Sequence, residues 1–177
     1  MTRTRARLRW MITIAALLNY ALLALWAVPQ LEAMSSIPDA QPFDLRFIGY
    51  GYADAVDYIA SLSSGGLAFY LLEWRILDSV FPLLLTLTFL NWSWVLMARR
   101  GMVLRMIFLV IGFSYGVFDL LENAAVARML GVTGGVENLT PTIVAEANRW
   151  TLLKFVVFAI SVLGIVYGLI LRLFQRG

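Results

Sequence analysis

The sequence contains neither cysteine nor histidine. The absence of cysteine excludes disulfides, thiolate metal sites and cysteine nucleophiles. The absence of histidine excludes haem ligation by histidine, histidine-based zinc sites and mechanisms of the Ser-His-Asp type. Charged residues are also scarce, at 14% of the chain, which is about half the share of a typical soluble domain. No Gly-rich phosphate loop or nucleic-acid motif is present.

Apolar residues, in contrast, are abundant in the sequence. They make up 61% of the 177 residues, and the mean hydropathy is +0.81. A soluble fold of this size has too little interior to bury so much apolar surface. A transmembrane helix needs about 20 mostly apolar residues, and four segments qualify, at about 10–28, 76–98, 103–130 and 151–171. The sequence therefore predicts an all-α integral membrane four-helix bundle, in which residues 1–177 form a single membrane domain.

The arginines predict the orientation of this bundle. Residues 3–9, 99–105 and 172–176 contain nine arginines and no acid. Because cytoplasmic segments are enriched in basic residues, both termini are expected on the cytoplasmic side. Residues 30–75 and 131–149 are then expected on the outer face.

The outer connection of residues 30–75 is too long for an idle loop. Apolar side chains at Val56, Ile59 and Leu62 follow a helical period, and Asp54 and Asp57 fall on the opposite side. This pattern predicts a short amphipathic helix over 53–62 on the outer membrane surface. Ser and Gly at 63–66 are expected to break it, and a long second helix is expected to follow. The connection then either caps the bundle or forms a lid over an opening between the spans.

Polar residues within the spans form a candidate site in the outer third of the bilayer. Asp119, Glu122 and Asn123 share one face of the third span at i, i+3 and i+4. Tyr115 continues this face of span three, and two other helices bring polar groups to a similar depth: Asp78 one turn into span two and Lys154 one turn into span four. Glu73 and Arg75 lie slightly nearer the outer surface.

Two interpretations of this cluster stay open. Charges within a span normally find partners, so Lys154 paired with Asp119 or Glu122, and Arg75 paired with Asp78, could simply hold the helices together. Alternatively, the cluster is a ligand pocket open to the outer leaflet. Its carboxylates could then act as general acid and base, hold a hard cation or relay protons.

Two function classes are favoured for a functional cluster, whereas a third, a proton-coupled transporter or channel subunit, fits four spans without inverted-repeat character poorly. The first is an accessory or lipid-like ligand-binding membrane protein, with Asp78, Tyr115, Asn123, Glu73 and Arg75 contacting the ligand. The alternative is a small membrane enzyme that acts on a lipid or isoprenoid, with Asp119 and Glu122 as the acid–base pair and Lys154 as their electrostatic partner. The expected partners are membrane lipids, a lipid-like small molecule or another membrane protein, but not nucleic acid. No cofactor and no metal-ligand motif is indicated.

Five strings carry a resemblance to known proteins: Asp44-x-Arg46, Gly49-Tyr50-x-Tyr52, Asp78-x-x-x-Pro82, Phe118-Asp119-x-x-Glu122-Asn123 and Thr151-x-x-Lys154. The sequence resembles a group of small uncharacterised bacterial membrane proteins with four spans and a Phe-Asp-x-x-Glu-Asn string in the third. This resemblance implies a bacterial inner-membrane setting and no particular activity. More weakly, the four-span layout with in-membrane acids is similar to the sterol isomerase and sigma-2 receptor superfamily. That similarity implies binding of sterol-like or cationic amphiphiles between the helices.

Overall fold

The computed structural model describes residues 3–132 and 135–174, and within these ranges the protein is helical without a named strand. Residues 133–134 of the second outer connection and Arg176 of the basic tail lie outside the described residues. The helices are α1 Arg3–Ala33, α2 Tyr52–Ser61, α3 Ser64–Leu96, α4 Met102–Leu130 and α5 Pro141–Phe174. Four of them (α1, α3, α4 and α5) are long and apolar enough to cross a membrane, which confirms a multi-pass four-helix bundle.

Glycines allow close packing in the bundle. Helix α4 packs against both α3 and α5, and α1 packs along α3. A side chain at Gly116 of α4 would collide with Thr86 of α3, and one at Gly164 of α5 would collide with Phe108 of α4. Small residues let membrane helices approach closely, where van der Waals packing holds them together. Asn19 adds an interhelical hydrogen bond, because its Nδ2 donates to the Leu77 carbonyl at 3.1 Å.

The sequence predicts that Pro29 closes the first span after residue 28, but the helix does not end there, so that part of the prediction is wrong. The helix continues to Ala33 because a π-helical turn, Leu23–Ala27, precedes the proline. In this wider turn the Val28 N–H donates to the Leu23 carbonyl. The turn changes the local carbonyl positions, so the proline ring is accommodated, and Pro29 itself has no N–H that needs an acceptor.

The short outer helix is confirmed at Tyr52–Ser61. Its Ala55 and Tyr58 are buried, whereas Asp54 and Asp57 are exposed. The break that follows is shorter than predicted, because α3 already begins at Ser64. The Ser63 hydroxyl accepts a hydrogen bond from the Gly66 N–H at 3.1 Å. This N-cap satisfies a free backbone donor of the first turn, so two glycines at 65–66 do not prevent a helical start.

The main apolar core lies at the end of the bundle that carries the outer connection. Phe43 and Leu31 are completely buried there, together with Tyr58, Tyr70 and Trp74. Phe43 belongs to a single 3₁₀ turn, Phe43–Leu45. The connection therefore folds into the bundle end instead of lying entirely on its surface, and this brings polar atoms of the connection into contact with the helices.

Candidate functional site

Lys154 on α5 is the centre of a buried polar cluster. Its Nζ forms an ion pair with Glu122, lies 3.6 Å from Asp119 Oδ1, and donates a hydrogen bond to the Asp44 carbonyl at 3.0 Å. The lysine and both acidic side chains are at most 5% exposed. The predicted proximity of Lys154 to Asp119 and Glu122 is therefore confirmed. The contact with Asp44 was not predicted.

The third span orients its acids through its own helical repeat. Asp119 Oδ2 accepts a hydrogen bond from Asn123 Nδ2 at 3.2 Å, one turn away. On the opposite side, the Tyr115 hydroxyl donates to Asp119 Oδ1 at 3.4 Å. All these side chains are buried, as is Glu122. The predicted polar face of α4 therefore points into the bundle, as the cost of a lipid-exposed charge requires.

Asp44 is a member of the cluster that sequence reasoning missed as a site residue. Its Oδ2 accepts hydrogen bonds from the Tyr70 hydroxyl at 2.7 Å and from Trp74 Nε1 at 3.1 Å. The Tyr70 hydroxyl in turn accepts from the Phe43 N–H at 2.8 Å. These bonds tie the outer connection to α3. Two signals were available in the sequence: an acid placed between Phe43 and Leu45, and two aromatic donors spaced i, i+4 ahead of the second span.

Asp78 is buried one turn after Trp74, near the same cluster. It interacts electrostatically with Asp44, Asp119 and Lys154, but its Oδ2 has no hydrogen-bond partner in the described part of the chain. The pair of Asp78 with Arg75 that the sequence suggested is absent from the ion pairs of residues 3–132 and 135–174. Arg75 and Glu73 are exposed, so neither is buried within the cluster.

Acids outnumber bases in this cluster. Its buried charges are Asp44, Asp78, Asp119, Glu122 and Lys154. Arg128 does not compensate, because it pairs with Glu146 at 2.6 Å in an exposed position. Among the described residues, three buried carboxylate oxygens have neither a hydrogen-bond partner nor an ion-pair partner: Asp44 Oδ1, Asp78 Oδ2 and Glu122 Oε1. The cluster therefore has acceptor capacity and negative charge that the described side chains do not satisfy.

A small crevice between α3 and α4 reaches this cluster. Its free volume is about 10 Å³, enough for about one water molecule. Asp44 and Asn123 supply polar groups to its wall, and Arg75 also lines it. The α3 side contains the π-helical turn Tyr70–Trp74, and such turns are frequent at functional sites. The remaining lining residues are mostly apolar: Leu71, Val126, Ala127 and Leu130.

Aromatic and cationic groups hold the outer connection over the cluster. The Arg46 guanidinium lies 4.9 Å from the Phe43 ring centroid and 4.8 Å from that of Tyr58. Burial raises the pKa of the Tyr58 hydroxyl, and the positive charge of Arg46 partly opposes this. Asn148 of α5 accepts the Tyr50 N–H at 2.9 Å. Of the two interpretations of the connection, these contacts favour a cap that is bound to several helices.

The fold and the cluster define a class, a multi-pass membrane four-helix bundle with buried carboxylates around a lysine. Comparison with protein-family models, curated proteins and solved structures found no match. No group of three or more potential ligand side chains forms a metal-binding arrangement within the described ranges. A function has to be inferred from the charge and the accessibility of the cluster itself.

Proposed function

We propose that the chain is a bacterial inner-membrane protein that binds a lipid-like amphiphile with a cationic head group at the buried cluster. The main observation in support is the excess of acidic side chains, because four buried carboxylates surround one lysine. An ionised side chain at the centre of a span costs about 2.5–3.5 kcal/mol on insertion-derived scales. A bound cation that neutralises one carboxylate is therefore favoured. The arginine-rich segments support an orientation with both termini in the cytoplasm.

The crevice between α3 and α4 supports a route for such a ligand. Asp44 lines the crevice, and none of the described residues donates a hydrogen bond to its Oδ1. The apolar lining residues Leu71 and Val126 suit a hydrocarbon tail. Because the crevice has room for about one water, a head group enters by separating α3 from α4 beside the π-helical turn Tyr70–Trp74. The similarity in layout to the sterol isomerase and sigma-2 receptor superfamily favours the same class of ligand.

Thermal unfolding of the purified protein in maltoside detergent tests the proposal. Dodecyltrimethylammonium is the cationic probe, and dodecyl sulfobetaine is a zwitterionic control of equal chain length. The cationic probe is expected to raise the midpoint of the wild type, because it binds only the folded state. Asp44→Asn removes the carboxylate at the crevice and is expected to abolish the rise. Asp57→Asn makes the same chemical change at an exposed position and is expected to retain it.

Two results would contradict the binding proposal. One is an equal response of the wild type to the cationic and the zwitterionic probe. The other is an undiminished response of Asp44→Asn. Native mass spectrometry of the same sample identifies any amphiphile that the protein retains from the membrane, and a retained ligand without cationic character would count against the proposal.

One observation favours the enzyme as a second candidate. Glu122 Oε1 has no hydrogen-bond partner among residues 3–132 and 135–174, while the other oxygen of the carboxylate pairs with Lys154. A carboxyl group beside a cation can give or take a proton during acid–base catalysis. Incubation with membrane lipid extract followed by mass spectrometry separates the candidates. Turnover that is lost in Glu122→Gln supports an enzyme, whereas an unchanged retained ligand supports binding alone.

A further inference from the structure

An apolar groove lies on the surface between α3 and α4, towards the turn that joins them. Its volume is about 510 Å³, within the usual range for small-molecule sites. Its lining residues are Leu87, Leu90, Asn91, Trp94, Leu109, Val110 and Phe113. The Asn91 amide donates to the Leu87 carbonyl of its own helix at 2.8 Å, so it does not require a polar occupant. The groove therefore suits a hydrocarbon chain.

Arg105 lies beside the groove, on the side of the turn, because it stacks on the lining residue Trp94. It precedes Leu109 by one helical turn, and its guanidinium lies 4.4 Å from the ring centroid of Trp94. Within residues 3–132 and 135–174, no atom accepts a hydrogen bond from the Arg105 Nε–H. Two more arginines follow α3 at 99–100, and residues 79–118 contain no acid. An acceptor for these cations must therefore come from elsewhere in the chain or from outside it.

We propose that this groove binds an anionic phospholipid, with one acyl chain along the apolar lining and the phosphate accepting hydrogen bonds from Arg105. Tryptophan and arginine at the end of a span are typical of the membrane interface, where lipid phosphates lie. Basic residues at this level attract anionic lipids. An arginine fork also matches the geometry of a phosphate group. This site is at the opposite end of the bundle from the carboxylate cluster. The phospholipid proposal therefore does not depend on the cationic-amphiphile proposal.

Native mass spectrometry of the full chain tests the head-group contact. The protein is released from micelles that contain equal amounts of phosphatidylglycerol and phosphatidylcholine. The wild type is expected to retain phosphatidylglycerol preferentially. Arg105→Gln should lower this retention about fivefold, the equivalent of about 1 kcal/mol for one arginine near an anionic surface. Arg105→Lys should recover part of it, and Arg99→Gln, with the same charge change in the same region, should lower it less than about twofold.

Filling the groove tests the acyl-chain contact. Val110→Trp places a large ring in the groove and is expected to displace the retained phosphatidylglycerol. Val156→Trp is the matched control, because Val156 on α5 is exposed to a similar extent, 54% against 60%, and does not line the groove. Circular dichroism of each variant verifies that the helices are intact.

Three results would overturn this inference. Equal losses in Arg99→Gln and Arg105→Gln would indicate unspecific attraction to the basic turn. Unchanged retention in Val110→Trp would mean that the lipid does not occupy the groove. A dimer without bound lipid in the wild-type spectra would identify a second copy of the chain as the occupant.

Discussion

The two ends of the bundle place charged side chains in different environments. At the arginine-rich end, the guanidinium of Arg105 lies over an indole ring, 4.4 Å from the ring centroid of Trp94. At the other end, carboxylates are buried around Lys154. A charged side chain near the end of a span therefore has one of two different environments in this protein. A charged side chain that is buried beside groups of opposite charge belongs to the candidate site, and one that stacks on an aromatic ring is an interfacial anchor. Position in the sequence does not distinguish the two.

The physical consequences of the two arrangements also differ. An exposed or stacked arginine can reach water and lipid head groups, so its loss changes interactions with the membrane more than the fold. A buried ion depends on its neighbours, because removing one partner leaves the other uncompensated. The four predictions below test this contrast, from the largest expected effect to the smallest.

Labelling of single cysteines should reveal the orientation of the two ends as an all-or-none difference. The chain has no cysteine, so single cysteines can be placed at Ser36 near the acid-rich end and at Ala98 near the arginine-rich end. Both positions are exposed. The positive-inside rule predicts that a membrane-impermeant maleimide labels Ser36→Cys in intact cells and leaves Ala98→Cys unlabelled. The reverse pattern would invert the proposed orientation, and labelling of both after cell lysis is the control.

Lys154→Met should cause the largest loss of stability. Breaking a buried pair costs about 3–5 kcal/mol in soluble proteins, and a somewhat smaller cost is expected in a membrane protein. Arg128→Met is the control, because the exposed pair with Glu146 contributes at most about 1 kcal/mol. Unfolding in mixed micelles, followed by circular dichroism, measures both.

A double variant refines that test. Adding Asp119→Asn to Lys154→Met removes one of the uncompensated acids and should recover part of the loss. Equal stability of Lys154→Met and Arg128→Met would mean that buried and exposed pairs do not differ in this protein.

Tyr70→Phe should loosen the outer connection with an intermediate effect. The hydroxyl bonds both the Asp44 carboxylate and the Phe43 N–H, and a hydrogen bond to a charged group contributes about 1.5–3 kcal/mol. Amide exchange should accelerate in the 3₁₀ turn Phe43–Leu45. Tyr167→Phe, at a half-exposed position on α5, is the control. Unchanged exchange in Tyr70→Phe would show that other contacts suffice to hold the connection.

Asp78→Asn should have the smallest effect, and in the opposite direction. Because the cluster already contains more acids than bases, removing one negative charge should leave stability unchanged or raise it by about 1 kcal/mol. Polar functional sites are often maintained at a cost in stability. Asp57→Asn, on the exposed face of α2, should change nothing measurable. A clear loss of stability in Asp78→Asn would indicate that this acid contributes to helix packing.

Part of the candidate site could be predicted because it follows helical geometry. Asp119 and Glu122 lie on one face at i, i+3, and their depth matches that of Lys154 when the helices are antiparallel. These relations depend on a regular backbone repeat, which local hydrogen bonds maintain. The buried side chains and the ion pairs to Lys154 agree with the prediction.

Asp44 could not be placed in the same way. It lies in the first part of the connection, before residue 52, where no hydrophobic period is present, and its partners Tyr70 and Trp74 are 26 and 30 residues away in the sequence. An irregular segment takes its position from the surfaces it packs against. Here the burial of Phe43 beside Tyr58 and Tyr70 draws Asp44 into the bundle.

The sequence by itself determined that this protein crosses a membrane with four helices and that basic and acidic charges are separated between its two ends. Both properties are local, because they depend on the length of apolar runs and on the charges that flank them. The tertiary structure decided which acids lose contact with water, that Pro29 lies within a helix, and that Arg105 stacks on Trp94 in the wall of a groove between α3 and α4. These outcomes depend on how distant surfaces fit together, since burial and shape arise only when the elements pack.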